Sequence, residues 1–265
     1  MLSIIIPTFR SHESLDQAIN SVQAQTVADW EIVISPDDGL DYSYLQARDA
    51  RIRVVQSGAV ATGAAQARNR ALAHVSGTAV AYLDDDDQIT ESYVADALAA
   101  LTTRPSILFP TQYVADGETI RTVGRTSAIT IADFSQELGS LHVVARRDSF
   151  PTWYDYFAED VVHTCEVIDQ QGGSIDVIPS AQYIATLRNN STCQTQVLNA
   201  IDTQYQALLA LPLNNMTPLG REAFQNLIQY RRHINQLYEQ SGQTQNYHAF
   251  VRQLTTNDKH SIITF

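Results

Sequence analysis

Positions 2–6 are apolar and largely β-branched apart from Ser3, and the run stops at Pro7, the mark of a strand buried on both faces of a parallel sheet. The spacing then changes to Leu15, Ala18, Ile19 and Val22, a helical period, with Ser14 and Gln17 at the separation of a capping box. The alternation repeats along the chain. Residues 31–35 read as a second strand, 52–55 as a third, 64–75 as a helix and 79–83 as a fourth strand. Thr90 then stands as the cap of a helix carrying Val94, Ala97, Leu98 and Leu101. Strands alternating with helices predict βαβ units, a mostly parallel sheet and right-handed crossovers. Ligands bind such sheets beyond the carboxyl ends of the strands, so residues 7–10, 35–39 and 84–87 are expected on one rim.

Residues 105–185 are more mixed. Strands are expected at 107–109, 141–145 and 175–178, and a helix at 160–170. From Thr195 the texture becomes glutamine-rich, with Leu208, Leu211, Phe224, Leu227, Ile228, Ile234, Leu237 and Tyr238 at helical spacing. That stripe predicts a helical appendage packed on the main domain, and it is also the candidate surface for self-association into a homo-oligomer. The expected division is a catalytic region over 1–195, split at 104/105 into nucleotide-binding and acceptor-binding halves, followed by a helical C-terminal region over 196–265.

Composition narrows the partners. Seventeen Lys and Arg against 29 Asp and Glu give a net charge of −12, which excludes generic attraction to nucleic acid or to an anionic membrane surface. An anionic ligand would therefore need a local remedy such as a metal. Two cysteines, Cys165 and Cys193, suit neither a disulfide framework nor a zinc cluster. The opening apolar run is too short for a signal peptide or a membrane span. No transmembrane segment and a cytoplasmic location are expected.

Four consecutive carboxylates, Asp84, Asp85, Asp86 and Asp87, follow the fourth apolar run. Two such charges about 4 Å apart repel by roughly 4 kcal/mol at an effective dielectric of 20. Protonation, outward solvation or a bound divalent cation would relieve this, and carboxylate oxygens suit magnesium or manganese. Asp37, Asp38 and Gly39 follow the second strand, where short acids either accept hydrogen bonds from a base or ribose or simply form a turn. Arg68 stands on a helix after Gly63, facing phosphates or solvent. Glu159 and Asp160 come after Trp153, Tyr154, Tyr156 and Phe157. Carboxylates beside aromatic rings hold and deprotonate sugar hydroxyls, and acids also favour helix starts through the dipole.

In order and spacing these segments resemble the family 2 glycosyltransferases of the GT-A fold. Their opening is an apolar strand with Pro-Thr-Tyr-Asn, then Asp-Asp-Gly-Ser, Ala-Arg-Asn and Leu-Asp-x-Asp-Asp. Here the counterparts are Pro7-Thr8-Phe9-Arg10, Asp37-Asp38-Gly39-Leu40, Ala67-Arg68-Asn69 and Leu83-Asp84-Asp85-Asp86-Asp87. Glu159-Asp160 resembles the family's acidic pair, and Leu187-Arg188-Asn189-Asn190-Ser191 its late Arg-x-His-x-x-Ser segment, with asparagine in place of the histidine. Ser35-Pro36 adds one residue ahead of Asp37.

The resemblance implies a Rossmann-type α/β sheet flanked by helices and an inverting, metal-dependent transferase using a nucleotide-diphosphate sugar, by default a UDP-sugar. It implies that Pro7, Thr8, Phe9, Arg10, Asp37, Asp38, Arg68, Asp84 and Asp85 bind the donor. Asp86 would take Mn2+ or Mg2+, and Asp160 would act as catalytic base. Trp153, Tyr154 and Glu159 would face the acceptor, a glycan, lipid-linked saccharide or protein in surface glycan biosynthesis. The Gln-x-x-Arg-Trp sequence of processive synthases is absent, so non-processive transfer is expected. Two alternatives are a sugar nucleotidyltransferase, for which residues 7–10 lack the glycine-rich phosphate loop, and a catalytically silent carbohydrate-binding relative.

Overall fold

The computed structural model describes residues 1–56, 58–188, 198–243 and 246–257. Its N-terminal strands are β1 (Leu2–Thr8), β2 (Trp30–Pro36), β3 (Ile52–Val54) and β4 (Ala79–Tyr82). They alternate with helices α1 (His12–Gln23) and α2 (Ala64–Leu72). The short β5 (Gln88–Ile89) leads into α3 (Tyr93–Ala100). Next come β6 (Ser106–Leu108), β7 (Thr111–Ala115), β8 (Glu118–Val123), β9 (Ala128–Ile129) and α4 (Ile131–Glu137). Then follow β10 (Val143–Arg146), α5 (Glu159–Gln170), β11 (Ile175–Asp176) and β12 (Tyr183–Thr186). The chain ends in α6 (Leu198–Leu209), α7 (Pro218–Gln240) and α8 (Tyr247–Asn257).

The main sheet has the order β3-β2-β1-β4-β10-β6, in which β3, β2, β1 and β4 are parallel and β10 runs against both its neighbours. A second sheet, β5-β12-β7-β8, stands beside it, and β9 pairs with β11. The α/β class and the mostly parallel sheet match the expectation. All seven residues of β1 and of β2 are buried, because helices cover both sheet faces. Side chains sort by the two-residue period of the pleat. Ile4, Ile6, Ile32, Ile34 and Ala81 face α1 and α3, whereas Ile5, Val33, Val80 and Tyr82 face α2 and α5.

Two helix starts differ from expectation. Helix α1 begins at His12 with Ser11 as its cap residue, so Ser14 lies inside the first turn and donates to Ser11 O at 3.2 Å. The cap residue of α3 is Ser92. Thr90 instead reaches across to β12, where its hydroxyl accepts from Gln182 N at 2.9 Å.

The C-terminal helices share the core of the sheet domain. Ile201, Tyr205, Leu208, Phe224, Leu227 and Ile228 join Val161 and Val162 of α5 in one apolar cluster. Asp169, at the end of α5, accepts from Thr217 N at 2.6 Å and Thr217 Oγ1 at 2.7 Å, which locks the start of α7. At the opposite end of the sheet from the rim, a Cβ on Gly77 would lie 2.6 Å from Met1 O, so the backbones approach as only glycine permits. Among the described residues, no helix is long and apolar enough to cross a membrane.

Candidate functional site

Strand order reverses between β1 and β4, where β2 and β3 lie to one side of β1 and β4 to the other. Such a switch point leaves a crevice beyond the strand ends. A cavity of about 540 Å3 opens there, lined by Pro7, Thr8 and Phe9 after β1, Asp37 after β2, Arg68 of α2, and Asp84, Asp85 and Asp86 after β4.

The four aspartates point to four different environments. Asp84 pairs with Arg68 at 2.6 Å. Burial is the largest influence and works to raise its pKa, but the Arg68 charge, His142 and the Arg68 hydrogen bond together hold it below the ordinary value. Asp85 accepts from Phe9 N at 3.1 Å and stays raised, chiefly by burial. Asp87 is buried and turned into the fold, taking Tyr183 Oη at 2.8 Å and Thr186 N at 2.8 Å. Asp86 alone has no hydrogen-bond partner among the described residues; its nearest cation is Arg188, with Nε 3.8 Å away. Burial first, then Asp84 and Asp85, push its pKa up to about 6.

Arg68 is 3% exposed and bridges the two halves, with Nη1 on Glu159 Oε1 and Nη2 on Asp84 Oδ1, both at 2.6 Å. Its guanidinium lies 4.6 Å from the Trp153 ring and 5.1 Å from Tyr82. Burial alone would lower its pKa, yet the two carboxylates raise it. One residue further, Asn69 donates to Trp153 O and accepts from Trp153 N, both at 2.8 Å. The side-chain amide thus copies a strand pairing and fixes the loop that runs into α5. Asp160 opens that helix, its Oδ2 accepting from Ser140 Oγ at 2.5 Å.

Several expected residues sit elsewhere. Asp37 lines the cavity, but its carboxylate already accepts from Thr62 Oγ1 at 2.6 Å, Gly63 N at 2.8 Å and Arg70 Nη2 at 2.8 Å. Those bonds outweigh burial and hold its pKa down. With Ser35-Pro36 included, β2 runs on to Pro36, and Asp37 clasps the 61–63 loop. Asp38 does not line the cavity; it closes its own turn, accepting from Arg10 N, Leu40 N and Tyr42 Oη. Arg10 also lies outside, with φ of 58° and its guanidinium 5.0 Å from the Phe9 ring.

Trp153 is 3% exposed, stacked on His163 at 3.9 Å and edge-on to Tyr82 at 4.7 Å. It is a core ring and not an open sugar-binding face, because Asn69 draws its backbone inward. Tyr154 is half-buried and hydrogen-bonded to Asn215. His142 and His163 are buried and pushed down by burial, to about 4 and about 3, so both are neutral imidazoles at neutral pH. Arg188 is described, whereas Asn189, Asn190, Ser191 and Cys193 lie outside the described residues. Arg70, Ser140 and Tyr183 were not singled out by the sequence, and Asn69 entered only as a member of the Ala67-Arg68-Asn69 segment.

Among the described residues, no group of three or more His, Cys, Asp or Glu is arranged to hold a metal ion. Magnesium sites that share their ion with substrate phosphates need only one or two protein carboxylates. The donor set offers such a carboxylate in Asp86, a hard oxygen ligand with no hydrogen bond to give up.

A profile for "Glycosyl transferase family 2" matches residues 3–151, which contain this crevice. The chain belongs to glycosyl transferase family 2. As a family 2 member it is similar to the Escherichia coli UDP-Glc:alpha-D-GlcNAc-diphosphoundecaprenol beta-1,3-glucosyltransferase WfgD, 39% identical over 90 residues covering 33% of this chain and 35% of WfgD. A Campylobacter jejuni GalNAc(5)-diNAcBac-PP-undecaprenol beta-1,3-glucosyltransferase is 37% identical over 93 residues, 33% of this chain and 30% of that one. The matched stretch spans about a third of these curated relatives.

Among solved structures, Staphylococcus aureus TarS 1–349 in complex with UDP-GlcNAc superposes with a TM-score of 0.61 at 20% identity, covering 80% of this chain and 67% of that one. The Pyrobaculum calidifontis mannosyltransferase PcManGT in complex with GDP-Man and Mn2+ gives 0.56 at 15% identity, covering 97% and 79%. These likenesses establish the GT-A fold of the chain.

Proposed function

We propose that the chain transfers one sugar from a UDP-sugar to an acceptor hydroxyl, with inversion at the anomeric carbon and with a divalent metal at Asp86. The observation that carries this reading is the isolation of Asp86. It is one of four adjacent carboxylates, it lines the switch-point crevice, and of the four it alone takes no hydrogen bond from another described residue, pairing only with Arg188, whose Nε is 3.8 Å away. Mn2+ or Mg2+ bound there together with the donor diphosphate would neutralise charge growing on the leaving group.

The chain's own residues supply the rest. Pro7, Thr8 and Phe9 offer a wall for the base. Arg68 offsets one of the two charges of Asp84 and Glu159, so the crevice repels a diphosphate less than its acid count suggests. Asp160, oriented by the Ser140 hydroxyl, holds the acceptor proton as base. In this reading residues 1–104 take the donor, 105–195 take the acceptor, and 196–265 are a helical addition. The names of the E. coli and C. jejuni relatives contain undecaprenol-linked sugars, which favours a lipid-linked saccharide acceptor in surface glycan assembly. The buried free thiol of Cys165 and the supply of nucleotide sugars favour the cytoplasm.

Calorimetric titration of UDP with and without MnCl2, on the wild type and Asp86→Asn, tests the proposal. Manganese should strengthen UDP binding to the wild type and leave the variant unaffected. Equal manganese dependence in both would remove Asp86 as ligand. Release of UDP and not pyrophosphate separates this reading from a nucleotidyltransferase, and proton NMR of the first product reports the anomeric configuration.

A further inference from the structure

A second cavity, of about 410 Å3, lies between the 154–157 loop and α6. Asp155, Tyr156 and Phe157 form one wall, and Gln204, Ala207 and Leu208 the other. Neighbouring rings brace the aromatic side, Tyr154 stacking on Tyr156 at 5.7 Å and Tyr205 meeting Phe157 edge-on at 5.3 Å. Asp155 is exposed, and its carboxylate has no hydrogen-bond partner among the described residues.

Gly63 of the first cavity neighbours Asp155 of the second. The glycine lines the donor crevice, has φ of 94°, and a Cβ built on it would lie 3.5 Å from Asp155 Oδ1. The same loop continues through Ala158, in left-handed conformation, into Glu159 and Asp160. The groove therefore adjoins the donor crevice through space and the proposed base along the chain.

We propose that this groove binds an uncharged pyranose ring of the acceptor; the assignment to the acceptor rests on the transferase reading above. Aromatic faces cover the apolar side of a sugar ring, while a free carboxylate and an amide accept and donate at its hydroxyls. The volume lies within the range of small-ligand pockets. Among the described residues no Lys, Arg or His lines the groove, so a diphosphate would meet only the Asp155 charge there and is disfavoured. The linking phosphates of a lipid-linked acceptor consequently lie outside, and the groove reads sugar. Both walls fall beyond residues 3–151, which makes acceptor choice a property of this chain's own α6.

Saturation-transfer NMR tests this with methyl β-glycosides of glucose, galactose, N-acetylglucosamine and N-acetylgalactosamine, and with glucose 1-phosphate as the charged control. At least one glycoside should bind the wild type and lose its signal in Ala207→Trp, which fills the groove from an exposed helix position. Gln204→Leu should weaken the same signal and cannot be blamed on bulk. Circular dichroism and unchanged UDP affinity verify that each variant is folded. Absence of binding by every glycoside, an undiminished signal in both variants, or equal binding of glucose 1-phosphate would overturn the proposal. Glycoside binding is read without nucleotide, so failure of UDP to bind would remove the donor reading and leave the groove standing.

Discussion

Replacing Arg68 by methionine keeps the volume and removes the charge that joins the donor strand to α5. Asp84 and Glu159 would each lose a contact of 2.6 Å. Breaking one side of a buried pair costs about 3–5 kcal/mol, because the remaining charge is left without compensation. Their side chains are 34% and 20% exposed, so water reaches both and the lower end, about 3 kcal/mol, is expected. Protonation sets a ceiling: keeping a carboxyl of ordinary pKa 3.8 neutral at pH 7 costs about 4 kcal/mol, and at pH 5 about 2 kcal/mol.

The sign of the pH dependence follows from the same groups. In the wild type the folded-state pKa of Asp84 is lowered, so its stabilisation is present above 3.8 and is lost as pH falls through the folded value. In the variant that depression is gone and protonation becomes the escape. The difference between the two proteins should shrink from about 3 kcal/mol at pH 7 to about 2 kcal/mol or less at pH 5. Urea unfolding midpoints at both pH values measure it, with Arg68→Lys falling between because an ammonium lacks the fork. A loss below about 1 kcal/mol at pH 7, or a loss that grows toward pH 5, would refute the reasoning.

Other outcomes follow from the site. Because a metal ligand must be deprotonated and Asp86 is pushed up to about 6, manganese-dependent UDP binding should weaken about tenfold per pH unit below 6; calorimetry from pH 7.5 to 5 that shows no such slope counts against Asp86. Asp160→Asn should cut turnover about 100- to 10,000-fold with UDP affinity unchanged, measured by steady-state UDP release; normal turnover would take Asp160 out of the chemistry. Asn69→Ala leaves the Trp153 backbone N–H and C=O unpaired, and a loss of about 1–3 kcal/mol should appear in urea unfolding. Gly77→Ala forces a Cβ to within 2.6 Å of Met1 O and should lower the thermal midpoint by several degrees, read by circular dichroism.

Much of the scaffold was legible because parallel strands covered on both faces are mostly apolar, as β1, β2 and β4 are, with the buried Ser3 of β1 donating to Glu31 of β2 at 2.6 Å. The hairpin of β7 and β8 escaped notice although Asp116-Gly117 is its turn, both residues having positive φ, 51° and 81°, as a two-residue type I′ turn requires. Its strands mix polar and apolar residues at half-buried positions, so alternation alone was weak. The cavity-lining Thr8, Asp37 and Asp85 follow from the strand ends, but Asp38 and Arg10, expected on the same rim, stand outside the cavity, since a turn spends its polar groups locally before any ligand arrives. Trp153 was misread because an aromatic cluster beside an acid looks the same whether its rings face a ligand or the core. Nothing in one dimension reveals that Asn69 reaches 84 positions ahead to decide the matter.

The aspartate quartet has a consequence for tinkering with this protein. Asp87 holds β12 in place through Tyr183 and Thr186, while its neighbour Asp86 pairs only with Arg188 at 3.8 Å. Deleting any one of the four would leave three acids in a row and, counted from β4, bring Gln88 to the anchoring position. A chain still bearing an acidic signature would then lose the carboxylate that tethers the fold.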